Sequence, residues 1–269
     1  MKIISTKKKL VKFIKNERNL GFVPTMGALH PGHISLIKKS KLECAKTLVT
    51  IFVNKPQFER SSDYISYPRN LKKDILILKK LKINYLYLPK FKEIYPSGTN
   101  KNIKIDSFRK KLCGKFRLGH FESIVDVVDR FIKLIKPKKA FFGKKDMQQY
   151  MLVKSFVNKN NIKTKIIGCE TIRHKNGLAY SSRNFLLTKI ERKKAGSIYM
   201  LIKKNKNKII KNKLFLNVIK KKILKLGVNK IEYLKILDIN KVIRPFKKKI
   251  KLKIFIAYYI RSVRLIDNI

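Results

Sequence analysis

The stretch Gly21–His33, Gly-Phe-Val-Pro-Thr-Met-Gly-Ala-Leu-His-Pro-Gly-His, constrains the fold of this 269-residue chain more than any other. Its apolar start ends at Pro24, and two glycines and two histidines follow. Leu36, Ile37, Ser40 and Cys44 then recur at helical spacing. The pattern predicts a strand, a glycine-bearing turn and a helix. Pro31 suits the first helical turn, where its missing N–H would be unpaired in any case. Residues three apart share one helix face, so His30 and His33 can point together at one ligand. The unpaired N–H groups and the dipole at that terminus favour an anion such as phosphate. The bland reading makes both histidines hydrogen-bonded turn residues.

Strands and helices alternate around this unit. Thr47–Val53 is a continuous β-branched and apolar run, as in a buried parallel strand. Asn84–Leu88, Ala140–Phe142 and Lys163–Ile167 read as further strands, and Leu71–Leu81, Glu122–Ile135 and Asp146–Val157 as helices. The alternation predicts an α/β fold, a Rossmann-like doubly wound parallel sheet, over residues 1–170. Residues 171–269 read as a smaller C-terminal α+β domain. In it, Thr188-x-x-Glu191 is a capping box that opens a helix to Ile202. Lys206–Leu226 reads as a second, very basic helix, and Ile231–Leu237 and Lys251–Tyr259 as strands.

Composition narrows the class of protein. Hydrophobic residues make up 44% of the chain, which fits a globular protein. No apolar run reaches the ~18–20 residues of a membrane span, and the basic N-terminus has no apolar segment behind it, unlike a secretory signal. Cys44, Cys113 and Cys169 are odd in number and far apart, which fits a reducing, cytoplasmic setting without a disulfide framework or zinc site. The formal net charge of +51 invites a nucleic-acid role. The lysines are spread along the chain, however, and aromatic residues are not concentrated among them as single-strand binders require. No specific nucleic-acid partner is expected, only weak salt-sensitive binding and attraction of anionic substrates.

In an open parallel sheet, ligands bind beyond the carboxyl ends of the strands, and the informative polar segments fall there. Asn54-Lys55-Pro56-Gln57-Phe58 follows one strand, Gly143-Lys144-Lys145-Asp146-Met147-Gln148-Gln149 another, and Gly177–Asn184 comes after Lys163–Ile167. Asp146 suits either an ordinary N-cap or a contact with nucleotide, with Lys145 reaching phosphate. Ser181-Ser182-Arg183 offers two hydroxyls and a guanidinium to phosphate oxygens, or is a loop before the Thr188 cap. The Gln57 and Gln149 amides suit a polar hydroxy acid, or a solvated loop. His120 fits a turn or helix start, and His174 a plain surface position.

His30-Pro31-Gly32-His33 resembles the nucleotide-binding signature of adenylyl-transferring α/β enzymes. Taken in order with Tyr67-Pro-Arg69, Leu112-Cys-Gly114, Arg117, Gly119-His-Phe121 and Arg264-Leu-Ile-Asp-Asn268, these segments resemble the pantothenate synthetase (pantoate–β-alanine ligase) family over essentially the whole chain. The resemblance implies a nucleotidyltransferase-type Rossmann-like fold whose C-terminal domain closes over the site, usually in a homodimer. It implies ATP as substrate, Mg2+ with the triphosphate, and condensation of pantoate with β-alanine through a pantoyl adenylate. By position it implies ATP contacts from Met26, Gly27, Ala28, Leu29, His30, Pro31, Gly32 and His33. Further contacts would come from Gly143, Lys144, Lys145 and Asp146, and from Ile172, Tyr180, Ser181, Ser182 and Arg183. His33 takes the proton-donor role, with His30, Lys145, Ser181, Ser182 and Arg183 in the catalytic set. Gln57 and Gln149 would hold pantoate, Gln57 also lying near β-alanine.

Four departures from the family pattern are Asn54-Lys55-Pro56-Gln57 for Asn-Pro-x-Gln, Lys144 for Glu, Leu118 for Pro and Tyr180 for Met. Metal ligands stay unassigned, since Lys72, Lys73 and Asp74 stand where further polar or acidic groups are common. The alternatives are a related adenylyl-transferring enzyme acting on another small acid and, in a different class, a basic RNA-binding module.

Overall fold

The computed structural model describes residues 1–246 and 248–269. The N-terminal part runs β1 (Lys2–Ile4), α1 (Lys7–Ile14), β2 (Leu20–Thr25), α2 (Pro31–Glu43), β3 (Lys46–Ile51), α3 (Ser61–Ile65), α4 (Leu71–Lys80), β4 (Tyr85–Tyr87) and α5 (Phe91–Ile94). It continues through α6 (Cys113–Phe116), α7 (His120–Ile135), β5 (Lys139–Gly143), α8 (Met147–Lys159) and β6 (Lys165–Cys169). Helices α9 (Lys189–Lys204), α10 (Lys206–Lys211) and α11 (Phe215–Lys225) follow, then β7 (Lys230–Asp238), β8 (Leu252–Ile260) and β9 (Val263–Asn268).

Six parallel strands form the main sheet in the order β1-β4-β3-β2-β5-β6. The expected parallel α/β sheet is therefore present. The chain runs outward from β2 through β3 and β4, then returns to lay β5 on the other side of β2. That reversal puts the switch point, where ligands settle in such sheets, between the carboxyl ends of β2 and β5. Pro24 has no N–H to give a ladder, and it lies beyond the last β2–β5 pair, Phe22 with Ala140. The sheet thus opens where the His30–His33 turn leaves it.

Helices cover both faces of the sheet. On one side α7 buries Phe121, Ile124, Val128, Phe131 and Ile135 among Phe22, Leu48 and Ala140. On the other, Leu36 and Ile37 of α2 and Leu78 of α4 pack on Val23, Val49 and Leu86. Burying each such side chain stabilises the fold by about 1.5–3 kcal/mol.

The C-terminal strands make a separate antiparallel sheet, β7-β8-β9. One face packs on α9 and α11 through Ile198, Ile202, Ile219 and Ile223. From the other face, Tyr233, Phe255 and Ala257 join the core of the parallel sheet. The single basic helix expected over Lys206–Leu226 is two helices, α10 and α11. Asn212 is extended between them, and its side-chain oxygen accepts the Leu214 N–H at 2.9 Å. Such an Asn offers the backbone a local partner that competes with the helix. Strands β1 and β9 and helix α1, which periodicity alone does not single out, complete the two units. None of the helices among the described residues is long and apolar enough to cross a membrane.

Candidate active site

The turn after β2 is held from three sides. The Thr25 hydroxyl donates to the Thr50 carbonyl at 2.7 Å and accepts the Gly27 N–H at 3.2 Å. Gly27 and Ala28 then take positive φ values of 79° and 50°. Gly27 has no room for a side chain, since a Cβ would lie 2.9 Å from Asp74 Oδ2, and its φ is one glycine adopts freely. Ala28 in this conformation is strained, and persists because its surroundings fix it. Asp74 of α4, 2% exposed, accepts the Ala28 and Leu29 N–H groups, each at 2.8 Å. The Ser182 hydroxyl donates to the Ala28 carbonyl at 3.2 Å. Asp74 therefore shapes the turn, and both its oxygens are engaged.

His30 caps α2, its Nδ1 accepting the Gly32 N–H at 3.1 Å, which leaves the ring proton on Nε2. Its ring stacks on His33 with centroids 4.0 Å apart. Gly32 is required here, because a Cβ would lie 2.8 Å from the His30 ring. Burial pushes the His30 pKa down to about 2, helped by His33, Lys145 and His174. Burial likewise lowers His33 to about 4, against the pull of Asp146, while Lys145 adds to the lowering. Both rings are neutral at pH 7, and His33 Nδ1 is buried without a partner.

Opposite them lies the turn after β5. Asp146 sits at the N-terminus of α8 but makes no side-chain cap bond; its Oδ1 is 3.3 Å from Lys145 Nζ. Asp146, Lys145 and Gly143 all line a cavity of about 270 Å³. Lys144 does not line it; its ammonium pairs with Glu170, which does. The Asn268 amide from β9 donates to the Lys144 and Lys145 carbonyls at 2.9 and 2.8 Å, tying this turn to the C-terminal sheet.

The same cavity receives Met26, Gly32, His30 and His33 from the first turn, and Ile172, Tyr180, Ser181, Ser182 and Arg183 from the loop after β6. Gly27, Ala28, Leu29 and Pro31 stand behind its wall and build the turn. Tyr180 lies nearly parallel to His30, with centroids 6.3 Å apart, and its other neighbour is His174 at 3.7 Å. His174 is thus half-buried against Tyr180 rather than a plain surface residue. Ser181 accepts the Arg183 N–H at 3.3 Å, and Arg183 Nη2 meets both oxygens of Asp63 at 2.9 and 3.2 Å.

Gln57 and Gln149 also reach the cavity, between apolar walls that include Phe52, Phe121, Ile124, Val128 and Phe131. Asn54 Nδ2 donates to Gln57 Oε1 at 3.2 Å, and Asn54 is itself held by the Tyr95 hydroxyl at 2.8 Å. His120 Nδ1 and Arg117 Nη2 both meet the Gln57 carbonyl oxygen, at 2.8 and 3.2 Å. Arg117 Nη1 lies 3.0 Å from His120 Nε2. Because guanidinium only donates, Nε2 must accept, and the imidazole proton sits on Nδ1 facing Gln57. Burial holds His120 far below the usual imidazole range, with Arg117 adding to the effect. The sequence marks His120 only as a turn or helix start, and it does not mark Asp63, Tyr233 or Arg264 as site residues. The spacing of His120 from Arg117 within one short segment was the available signal.

The whole arrangement has close relatives. The pantoate-beta-alanine ligase family model matches residues 2–269. Pantothenate synthetase from Pseudothermotoga lettingae is 36% identical, over 100% of this chain and 97% of its own length. Its counterpart from Clostridium botulinum strain Loch Maree is 40% identical, over 97% and 95%. Pantothenate synthetase of Thermus thermophilus superposes with a TM-score of 0.91 at 30% identity, covering 100% of this chain and 99% of that one. The pantoate-beta-alanine ligase of Francisella tularensis, solved with beta-gamma ATP and beta-alanine, gives 0.83 at 38% identity, covering 100% and 97%. With its whole length matched in sequence and fold, this chain belongs to the pantoate–β-alanine ligase family.

Proposed function

We propose that the chain joins (R)-pantoate to β-alanine at the expense of ATP, by way of pantoyl adenylate. A carboxylate oxygen of pantoate attacks the α-phosphorus, and the bond to the bridging oxygen breaks to release pyrophosphate. The β-alanine amine then attacks the acyl carbon, loses a proton, and AMP departs to leave pantothenate. The acid needs the first step because a carboxylate becomes a good acyl donor only once its oxygen belongs to a good leaving group.

Catalysis rests on positioning and on fixed donors aimed at developing charge. The α2 N-terminus with His30 and His33, Lys145, and the Ser181–Arg183 segment receive the phosphates. Neutral His33 donates its ring N–H to an oxygen of the departing pyrophosphate. Gln57 and Gln149 hold the hydroxy acid against the apolar wall. Residues 1–170 supply the pantoate contacts and most of the ATP contacts, and 171–269, which bring Ser181–Arg183, close over them. What carries the reading is that imidazoles, Lys145, Arg183 and both glutamines line one cavity at the switch point of a parallel sheet.

Among the described residues no three His, Cys, Asp or Glu side chains form a metal-binding group. Mg2+ would enter with the triphosphate, whose oxygens bind it, and would neutralise charge as pyrophosphate departs. The family resemblance also supports a cytoplasmic homodimer, to be checked by sedimentation and fractionation.

The direct test is product analysis. ATP and pantoate without β-alanine should give pyrophosphate, and adding β-alanine should give AMP and pantothenate. Pantoate labelled with 18O in its carboxylate should pass one label to AMP. Failure of label transfer would exclude the acyl adenylate.

A further inference from the structure

Two halves of the cavity meet behind its wall at one carboxylate that does not itself line it. Asp63, on α3, accepts from Nη2 of Arg183 with both oxygens, across 120 residues of sequence. Among the described residues the Arg183 Nη1 and Nε make no protein hydrogen bond, so the grip on Nη2 leaves them for an anion in the cavity. The same Asp63 Oδ2 lies 4.0 Å from Arg117 Nη2. That guanidinium, with a side chain only 11% exposed, fixes the Gln57 carbonyl both directly and through His120. Polar groups thus run from Arg183 to Asp63 and, across a 4.0 Å gap, from Arg117 through His120 to Gln57.

We propose that Asp63 is a positioning residue, shared between two guanidiniums, that couples anion binding at Arg183 to the placement of Gln57. The inference rests on the reading of Arg183 as a phosphate ligand and of Gln57 as a ligand of the hydroxy acid. Asp63 is committed to Arg183. A phosphate taking Nη1 and Nε neutralises the charge of the guanidinium that holds Asp63, weakens the Nη2 grip, and lets the carboxylate turn toward Arg117, from which it is otherwise 4.0 Å away. Arg117 has reason to take it, because its guanidinium is buried and faces the positive charges of Arg183 and Arg264. A firmer Asp63–Arg117 pair holds the fork that fixes Gln57, so nucleotide improves the site for the acid. Linkage makes the effect reciprocal: the acid improves the site for nucleotide by the same factor.

Calorimetric titration of the full chain with pantoate, with and without a non-hydrolysable α,β-methylene ATP analogue, tests this. In the wild type the analogue should tighten pantoate binding by about tenfold. Asp63→Asn should bring that factor near one and raise the pantoate KM at saturating ATP more than it lowers kcat; Asp63→Glu should restore part of the coupling. Arg117→Lys, which keeps the charge but loses the fork, should also abolish it, and serves if Asp63→Asn does not fold. Undiminished coupling in either folded variant, or none in a wild type that binds both ligands, would overturn the relay alone. A wild type that binds neither ligand would overturn the proposed function, and the relay with it.

Discussion

His33 is held in a state that water would not allow. It is half-buried, stacked on His30, and has one ring nitrogen buried without a partner. An unsatisfied polar atom of this kind costs roughly 1–3 kcal/mol, so the position is poor for stability and good for meeting a ligand. His33→Ala should therefore lower pyrophosphate release from ATP and pantoate by roughly 10²–10³-fold, within the span of a lost proton donor or charge-stabilising group. The thermal midpoint of the unliganded protein should not fall. Unchanged turnover would remove His33 from the chemistry. Asp74 illustrates the opposite case. It looks like a candidate for metal or substrate, yet its oxygens hold the strained turn on which His30 stands.

Among the elements, α2 and α8 do more than fill layers. Their N-termini follow β2 and β5 at the switch point, and the turns leading into them bear the polar groups. Helix α9 has a structural task instead. Thr188 accepts the Glu191 N–H and Glu191 accepts the Thr188 N–H, the reciprocal capping box expected from sequence. Thr188→Ala should cost about 1 kcal/mol, seen as a lower urea midpoint. The KM values should not move, because neither residue lines the cavity. A shift in KM without a shift in midpoint would mean that α9 acts on the site.

For the whole molecule, the half-buried neutral histidines set a pH dependence. His30 and His33 have folded pKa values depressed from 6.5 to about 2 and about 4, and His120 is also far below 6.5. Below 6.5 the unfolded chain takes up protons that these rings in the folded protein refuse. Stability present above pH 6.5 is then lost as pH falls, down to about 4 for His33 and lower for His30. Each imidazole contributes up to about 1.4 kcal/mol per pH unit in that window. Urea midpoints measured from pH 7 to 5 should fall steadily, and a flat profile would mean that the rings are charged when folded.

Residue periods and turn chemistry act over a few neighbours, so the sequence alone determined the strand–turn–helix at Gly21–His33, the parallel alternation, the Thr188 cap and the strand-end placement of the polar segments. It misjudged the stretch 206–226, where one Asn side chain outweighs helical periodicity. Side-chain partners are another matter. That Asp74 serves the turn 45 residues upstream, that Lys145 faces the cavity while Lys144 turns to Glu170, and that Arg183 meets Asp63 was decided only by tertiary structure. Where a charged group ends up depends on which distant backbone or counter-charge packing brings within about 3 Å of it, and no local pattern carries that distance.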